Sequence, residues 1–101
     1  MKKLIALYKL PTDADAFMEH YQTHHLPLVR KIPGLVKTEL TRIERTLMGE
    51  QGNFLLAEMI FADADSFKTA MKSSENAATG ADLANFAEGL VTVMTGEVIE
   101  G

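Results

Sequence analysis

The sequence predicts a single α+β domain over residues 1–101, a ferredoxin-like βαββαβ fold with a four-stranded antiparallel sheet. Three observations carry that reading. Four stretches of strand character and two helical regions succeed one another in the order β-α-β-β-α-β. The two middle strands are joined by a short polar loop of hairpin type. No repeat, linker or low-complexity segment interrupts the chain.

Lys3 to Lys9 is the first strand, stopped by Pro11. Thr12-Asp13-Ala14-Asp15 offers N-cap oxygens, with acids in the first turn where they suit the helix dipole. The stretch from Phe17 to Leu35 holds all three histidines, one of the two tyrosines and two of the three prolines. Ile32-Pro33-Gly34 is a turn, because proline fixes one backbone angle and glycine tolerates the conformations a turn then needs. Leu35 to Arg45 alternates in part: Val36, Thr38, Leu40 and Arg42 face one way, and Leu35, Lys37, Glu39, Thr41 and Ile43 the other. Met48 to Asn53 is the polar hairpin loop, and Phe54 to Phe61 is a strand whose apolarity is broken only by Glu58.

Asp63 or Asp65 caps the second helix, with Phe67, Ala70, Met71 and Ser74 at helical spacing. Ser73 to Ala84 is small and polar and reads as a broken or short third helical piece, with Asp82 a possible cap and Phe86 an anchor. Val91 to Glu100 closes the chain as the fourth strand.

Composition narrows the function classes. An apolar fraction of 47% is ample for a packed core. Ten basic against 14 acidic residues give a net charge of −4, which provides no electrostatic footprint for nucleic acid or an anionic membrane. Without cysteine there is neither a disulfide framework nor a thiol nucleophile. The apolar run Leu4 to Leu7 is too short for a secretory leader, and no stretch approaches a membrane span. The expectation is a cytoplasmic protein.

The strands also bear on partners. Leu4-Ile5-Ala6-Leu7 and Phe54-Leu55-Leu56-Ala57 are apolar on both faces, where a half-solvated sheet alternates. Two helices cover one face only, so the other needs a second layer. A second copy of the sheet is the expected cover, in a homodimer joined through sheet faces.

Phe17 to Leu35 is the candidate site. On a wheel of about 100° per residue, Phe17, Tyr21, His24 and Leu28 fall within roughly 60° of one another. His25 lies about 40° beyond Tyr21, and His20 points to the opposite flank, towards solvent. Pro27 has no N–H and crowds the carbonyl of Thr23, so the helix is expected to end or kink near His24 and His25, leaving free carbonyls beside an imidazole.

Phe17-x3-Tyr21, His25-Leu26-Pro27-Leu28, Ile32-Pro33-Gly34-Leu35, Ala57-Glu58-Met59-Ile60-Phe61 and Ala81-Asp82-Leu83-Ala84-Asn85-Phe86 resemble the EthD-like family. The likeness runs through nearly the whole chain in order. It implies two ferredoxin-like sheets packed face to face as a dimeric α/β barrel, with a cleft between sheet and helices. It also implies relatives that act without cofactors on polyketide-like aromatics and lactones, besides many with no assigned activity. The family's motif histidine matches His25, and its aspartate near the C-terminal strand looks like Asp82. Phe17, His24, Leu28, Asp82 and Phe86 are the expected ligand contacts, with His25 and Tyr21 as the chemical pair.

Each candidate has a plainer role beside the chemical one. His25 titrates near working pH and suits general acid–base work, or it caps a helix end and does nothing else. Tyr21 holds a substrate oxygen, or is a core aromatic with a satisfied hydroxyl. His20 and His24 stand four apart, as metal ligands do, but Tyr21 replaces the glutamate of an HExxH motif and no third ligand is evident. No metal and no cofactor are therefore expected. Arg42 and Glu58 pair if they share a face, and otherwise either positions a polar substrate. The methionines fill the core.

Three functional readings are open to this sequence. The first is a cofactor-independent isomerase, cyclase, dehydratase or decarboxylase that moves protons on a small, mostly apolar carbonyl or aromatic substrate, with His25 lining a closed pocket. The second is a small-ligand binding or auxiliary protein with the same pocket and no turnover. The third, a monooxygenase or haem-associated protein, rests on fold analogy alone.

Overall fold

The computed structural model describes all 101 residues. Strand β1 (Lys2–Lys9) leads into α1 (Ala14–His20), a π-helical turn (Tyr21–His25) and α2 (Leu26–Val29). Strands β2 (Leu35–Arg42) and β3 (Asn53–Phe61) form the hairpin, and α3 (Ala64–Met71) and α4 (Ser74–Phe86) precede β4 (Val91–Glu97). The sheet runs β2-β3-β1-β4 with every neighbour antiparallel. This is the ferredoxin-like order expected from the sequence. The sheet of one chain is open, with β2 and β4 as its edges, so a single chain forms no barrel.

The helix starts are set by their caps. Asp13 Oδ1 accepts from the Ala16 N–H at 3.0 Å, and Asp63, not Asp65, caps α3 by accepting from the Ser66 N–H at 2.8 Å. Ser73 Oγ accepts from the Asn76 N–H at 3.1 Å and starts α4. The segment expected as a broken piece is thus one helix of 13 residues, and Asp82 lies inside it rather than at its start. Ala77, Ala78, Ala81 and Ala84 give that segment the propensity to run unbroken despite Gly80. Gly34 takes φ +78° in the turn into β2, a conformation that favours glycine.

Register divides the sheet into two faces. Leu4, Ala6 and Tyr8 of β1 lie opposite Met59, Ala57 and Leu55 of β3, and this face packs under the helices against Phe17, Tyr21 and Val29. On the other face, Ile5 lies opposite Glu58 and Met94, and Leu7 opposite Leu56 and Thr92. Ile5, Leu7 and Leu56 are half-buried and Met94 is exposed. Arg42 and Glu58 do not share a face. Arg42 pairs with Leu55 in the register and sets its guanidinium 4.7 Å from the Phe54 ring centroid, while Glu58 meets Lys3 Nζ at 2.8 Å on the open side. No helix is long and apolar enough to cross a membrane.

Candidate active site

The helix that carries the histidines does not end at Pro27. It widens. The Leu26 N–H donates to the Tyr21 carbonyl five residues back, the hydrogen bond that defines a π turn. One wide turn accommodates a proline that lacks an N–H and crowds the carbonyl before it. Residues five apart then stack along the same side, which corrects the regular-helix expectation for His20. His20 and His25 both reach Asp82 on α4.

Asp82 is the hub. Its Oδ2 lies 3.0 Å from His25 Nδ1, and His20 Nε2 is 3.1 Å from both of its oxygens. Asn85 Nδ2 donates to Oδ1 at 2.9 Å. Burial alone would push the Asp82 carboxyl up, but the hydrogen bonds from Asn85, His25 and His20 together hold it below the usual carboxylate range. An ionised carboxylate only accepts, so each facing imidazole nitrogen carries its proton towards Asp82. The expected free carbonyls are thus not what His25 bonds.

His25 is buried, at 3% exposure. Desolvation lowers its pKa, and the bonding and charge of Asp82 oppose that without reversing it, so the ring is neutral at pH 7. With Nδ1–H given to Asp82, Nε2 carries the lone pair. That nitrogen has no protein partner, and no sealed side-chain nitrogen or oxygen lacks one, so Nε2 opens on space.

The space is a cavity of about 200 Å³ between β1, β3, β4 and α4, lined by Leu4, Ala6, Met59, Leu83 and Val93, with Tyr8, Tyr21 and His25. Asn76, Thr79 and Gly80 of α4 complete its wall. The Tyr21 and His25 ring centroids are 5.2 Å apart, and Tyr8 meets Tyr21 edge-on at 5.8 Å. Burial pushes Tyr21 up to about 12, and burial, then the neighbouring Tyr21 and Asp82 charges, push Tyr8 higher still. Both hydroxyls therefore stay protonated and are available to donate.

A second, larger pocket of about 500 Å³ lies outside, lined by Leu10, Phe17, His20, Asn85, Phe86 and Glu88 among others. It contains neither His25 nor the tyrosines, so the convergent polar groups belong to the smaller cavity. Phe86 stands against both histidines, with centroids 4.6 Å from His20 and 4.9 Å from His25.

The structure thus brings Tyr21, His25 and Asp82 together and sets Phe17 and Phe86 at the outer pocket. His24 is exposed, and Leu28 lines a shallow depression with Lys31 and Ser74, so neither borders the inner cavity. No three His, Cys, Asp or Glu side chains are arranged to hold a metal ion, and His20 Nε2 is engaged by Asp82. Sequence reasoning missed Tyr8, Asn85 and the role of His20. Tyr8 was legible as the third member of the row Leu4-Ala6-Tyr8, and Asn85 as the i+3 partner of Asp82 on a helix.

A four-stranded ferredoxin-like sheet with an Asp–His pair under its helices defines a small α+β protein with a candidate acid–base site. Comparison with known proteins gives the family: the model of the EthD domain matches residues 9–89, and the chain belongs to that family. An uncharacterized 11.0 kDa protein in the thcB-thcC intergenic region of Rhodococcus erythropolis is 32% identical over 94 residues, 93% of this chain and 91% of that protein. The crystal structure of an ethyl tert-butyl ether d (EthD) family protein from Bacillus halodurans is 47% identical, with TM-score 0.90, covering 98% of this chain and 99% of that one. Two more distant structures share the fold. A dimeric protein of unknown function and ferredoxin-like fold from Bacteroides fragilis is 22% identical, with TM-score 0.61, over 96% of this chain and 95% of that one. SnoaB, a cofactor-independent oxygenase from Streptomyces nogalater, is 16% identical, with TM-score 0.63, over 99% and 93%.

Proposed function

We propose that the protein is a cofactor-independent enzyme that moves a proton on a small, mostly apolar carbonyl or enol compound, working as a homodimer joined through the open sheet faces. The observation that carries this reading is the state of His25: Nδ1 is held by an ionised carboxylate while Nε2 faces an apolar cavity without a protein partner. A neutral imidazole so fixed is a general base, and its conjugate acid is supported by Asp82. Proton removal beside a carbonyl builds negative charge on the oxygen, and Tyr8 and Tyr21, which line the same cavity, are the O–H donors we assign to it. The apolar walls exclude water and strengthen those bonds. A cavity of about 200 Å³ suits a single ring rather than a fused polycycle.

The test is carbon-bound hydrogen exchange of monocyclic ketones and lactones in deuterated buffer, monitored by NMR. The intact protein should accelerate exchange, and His25→Asn should lose on the order of 10²- to 10⁴-fold of that acceleration while keeping its fold. Binding of these rings without exchange, equal in both proteins, would make it a small-ligand binding protein. An open face carrying Ile5, Leu7, Leu56 and Met94 supports the homodimer.

A further inference from the structure

We propose that His20 is a positioning residue that couples the base in the inner cavity to solvent, because His20 and His25 share the single Asp82 carboxylate, one from each pocket. The inference rests on the reading of His25 as the base. His20 lines the outer pocket and its side chain is 27% exposed, against 4% for His25. His20 therefore meets the outside solvent more directly than His25 does. Its Nε2 is equidistant from the two carboxylate oxygens, so it also fixes the carboxyl plane that presents Oδ2 to His25. Phe86 stacks on the His20 ring with 25° between planes and holds it there.

The coupling arises from charge. One carboxylate supports one positive imidazole well and two poorly, and the charge of His20 works against a proton on His25. A proton resting on His20 keeps His25 free to act as a base. A proton taken by His25 from a substrate is answered by loss of one from His20 to the outer pocket. The groups around the pair are few. His25 faces Asp82 of α4, His20 of α1, and Tyr21 within its own turn, and it shares its cavity with Tyr8 of β1. His20 also faces His24, at a centroid distance of 5.0 Å, and shares the outer pocket with Asp13 and Glu88.

Ring ¹⁵N NMR of the full chain, titrated from pH 8 to pH 5, tests this without substrate. In the wild-type protein His25 should titrate in two steps, one of them coinciding with the titration of His20. In His20→Gln, which keeps a donor to Asp82 but no titrating charge, His25 should titrate in one step with its midpoint at higher pH. An unchanged His25 curve in that variant overturns the proposal. Should the variant fail to fold, the wild-type His20 curve decides: reciprocity requires an inflection at the His25 midpoint, and its absence is equally fatal. Coupled titrations in a protein that exchanges no substrate hydrogen would leave the coupling of His20 to His25 standing and remove the base it serves. Exchange without coupling would do the reverse.

Discussion

The two faces of the sheet handle polar groups in opposite ways. Under the helices, Asp82 is buried and satisfied by three side-chain donors, His25 keeps Nε2 unpartnered, and that ring lines one cavity with Tyr8 and Tyr21. On the open face, the polar pair Lys3 and Glu58 satisfies itself at 2.8 Å, amid apolar neighbours with no layer above them. The first face is finished within one chain and leaves polar valence for a ligand. The second leaves apolar area for a partner. A polar group held unpaired in a core is costly unless something later binds it, whereas exposed aliphatics are costly until something covers them.

The sharpest way to break this contrast is Asp82→Ala. It removes the acceptor of three donors and strands His25 with an unpartnered Nδ1–H in a buried site. The expected loss is about 3 kcal/mol of stability, seen as a fall of roughly 10–20 °C in Tm for a domain of this size. His25 should also lose its fixed tautomer, visible in the ring ¹⁵N shifts. A variant with near-native Tm would show that the helix-side face does not depend on its polar hub.

The open face is tested by Leu7→Lys. A charge opposite Leu56, in the middle of the apolar strip, should prevent a second sheet from docking. Sedimentation at micromolar concentration should change from a mass near twice 11.1 kDa to 11.1 kDa, with the monomer still folded. A wild-type protein that is already monomeric removes the need for a covering partner and separates the fold from the barrel.

How much of this was legible in the sequence depends on the kind of signal. The strands, their order and the two-sided apolarity of Leu4–Leu7 and Phe54–Phe61 are periodic, and period is local. The EthD-like motif marked His25 and Asp82, but the wheel separated His20 from His25, because a constant 100° step cannot describe the π turn between them. The proline that produces the widening was visible; the choice between ending a helix and widening it is made by packing against α4. His24 and Leu28 fell inside the apolar arc for the same reason and sit outside the cavity. Tyr8 lies far from the histidine stretch in sequence, and only the tertiary fold shows that the sheet supplies half of the site.

Acid should act on the helix-side face before the open one. The folded-state pKa of His25 lies below its unfolded value, so folding favours the neutral ring, and that contribution is present above the unfolded value of about 6.5 and fades as pH falls below it. Asp82 is likewise depressed, so its contribution persists above the ordinary carboxylate range and is lost as pH falls through its lowered folded value. Tm should therefore decline in two stages on acidification, beginning below about pH 6.5. In His25→Asn the first stage should disappear and the second remain. A flat Tm from pH 7 to pH 5 in the wild-type protein would mean that burial does not keep His25 neutral.

The smallest effect belongs to Glu58→Gln. Lys3 and Glu58 are 29% and 18% exposed at the side chain, and a pair so near water contributes at most about 1 kcal/mol. Glutamine keeps the shape and removes the charge, so the monomer should lose only a few degrees of Tm. The same substitution reads differently beneath a second sheet, where Lys3 would be left as an uncompensated charge away from solvent. The deficit should then grow with protein concentration as the dimer forms, and it should stay constant in a Leu7→Lys background that cannot dimerise. A deficit independent of concentration in both backgrounds would place Lys3 and Glu58 at the rim of the covered area, and would move the dimer contact towards Leu7, Leu56 and Thr92.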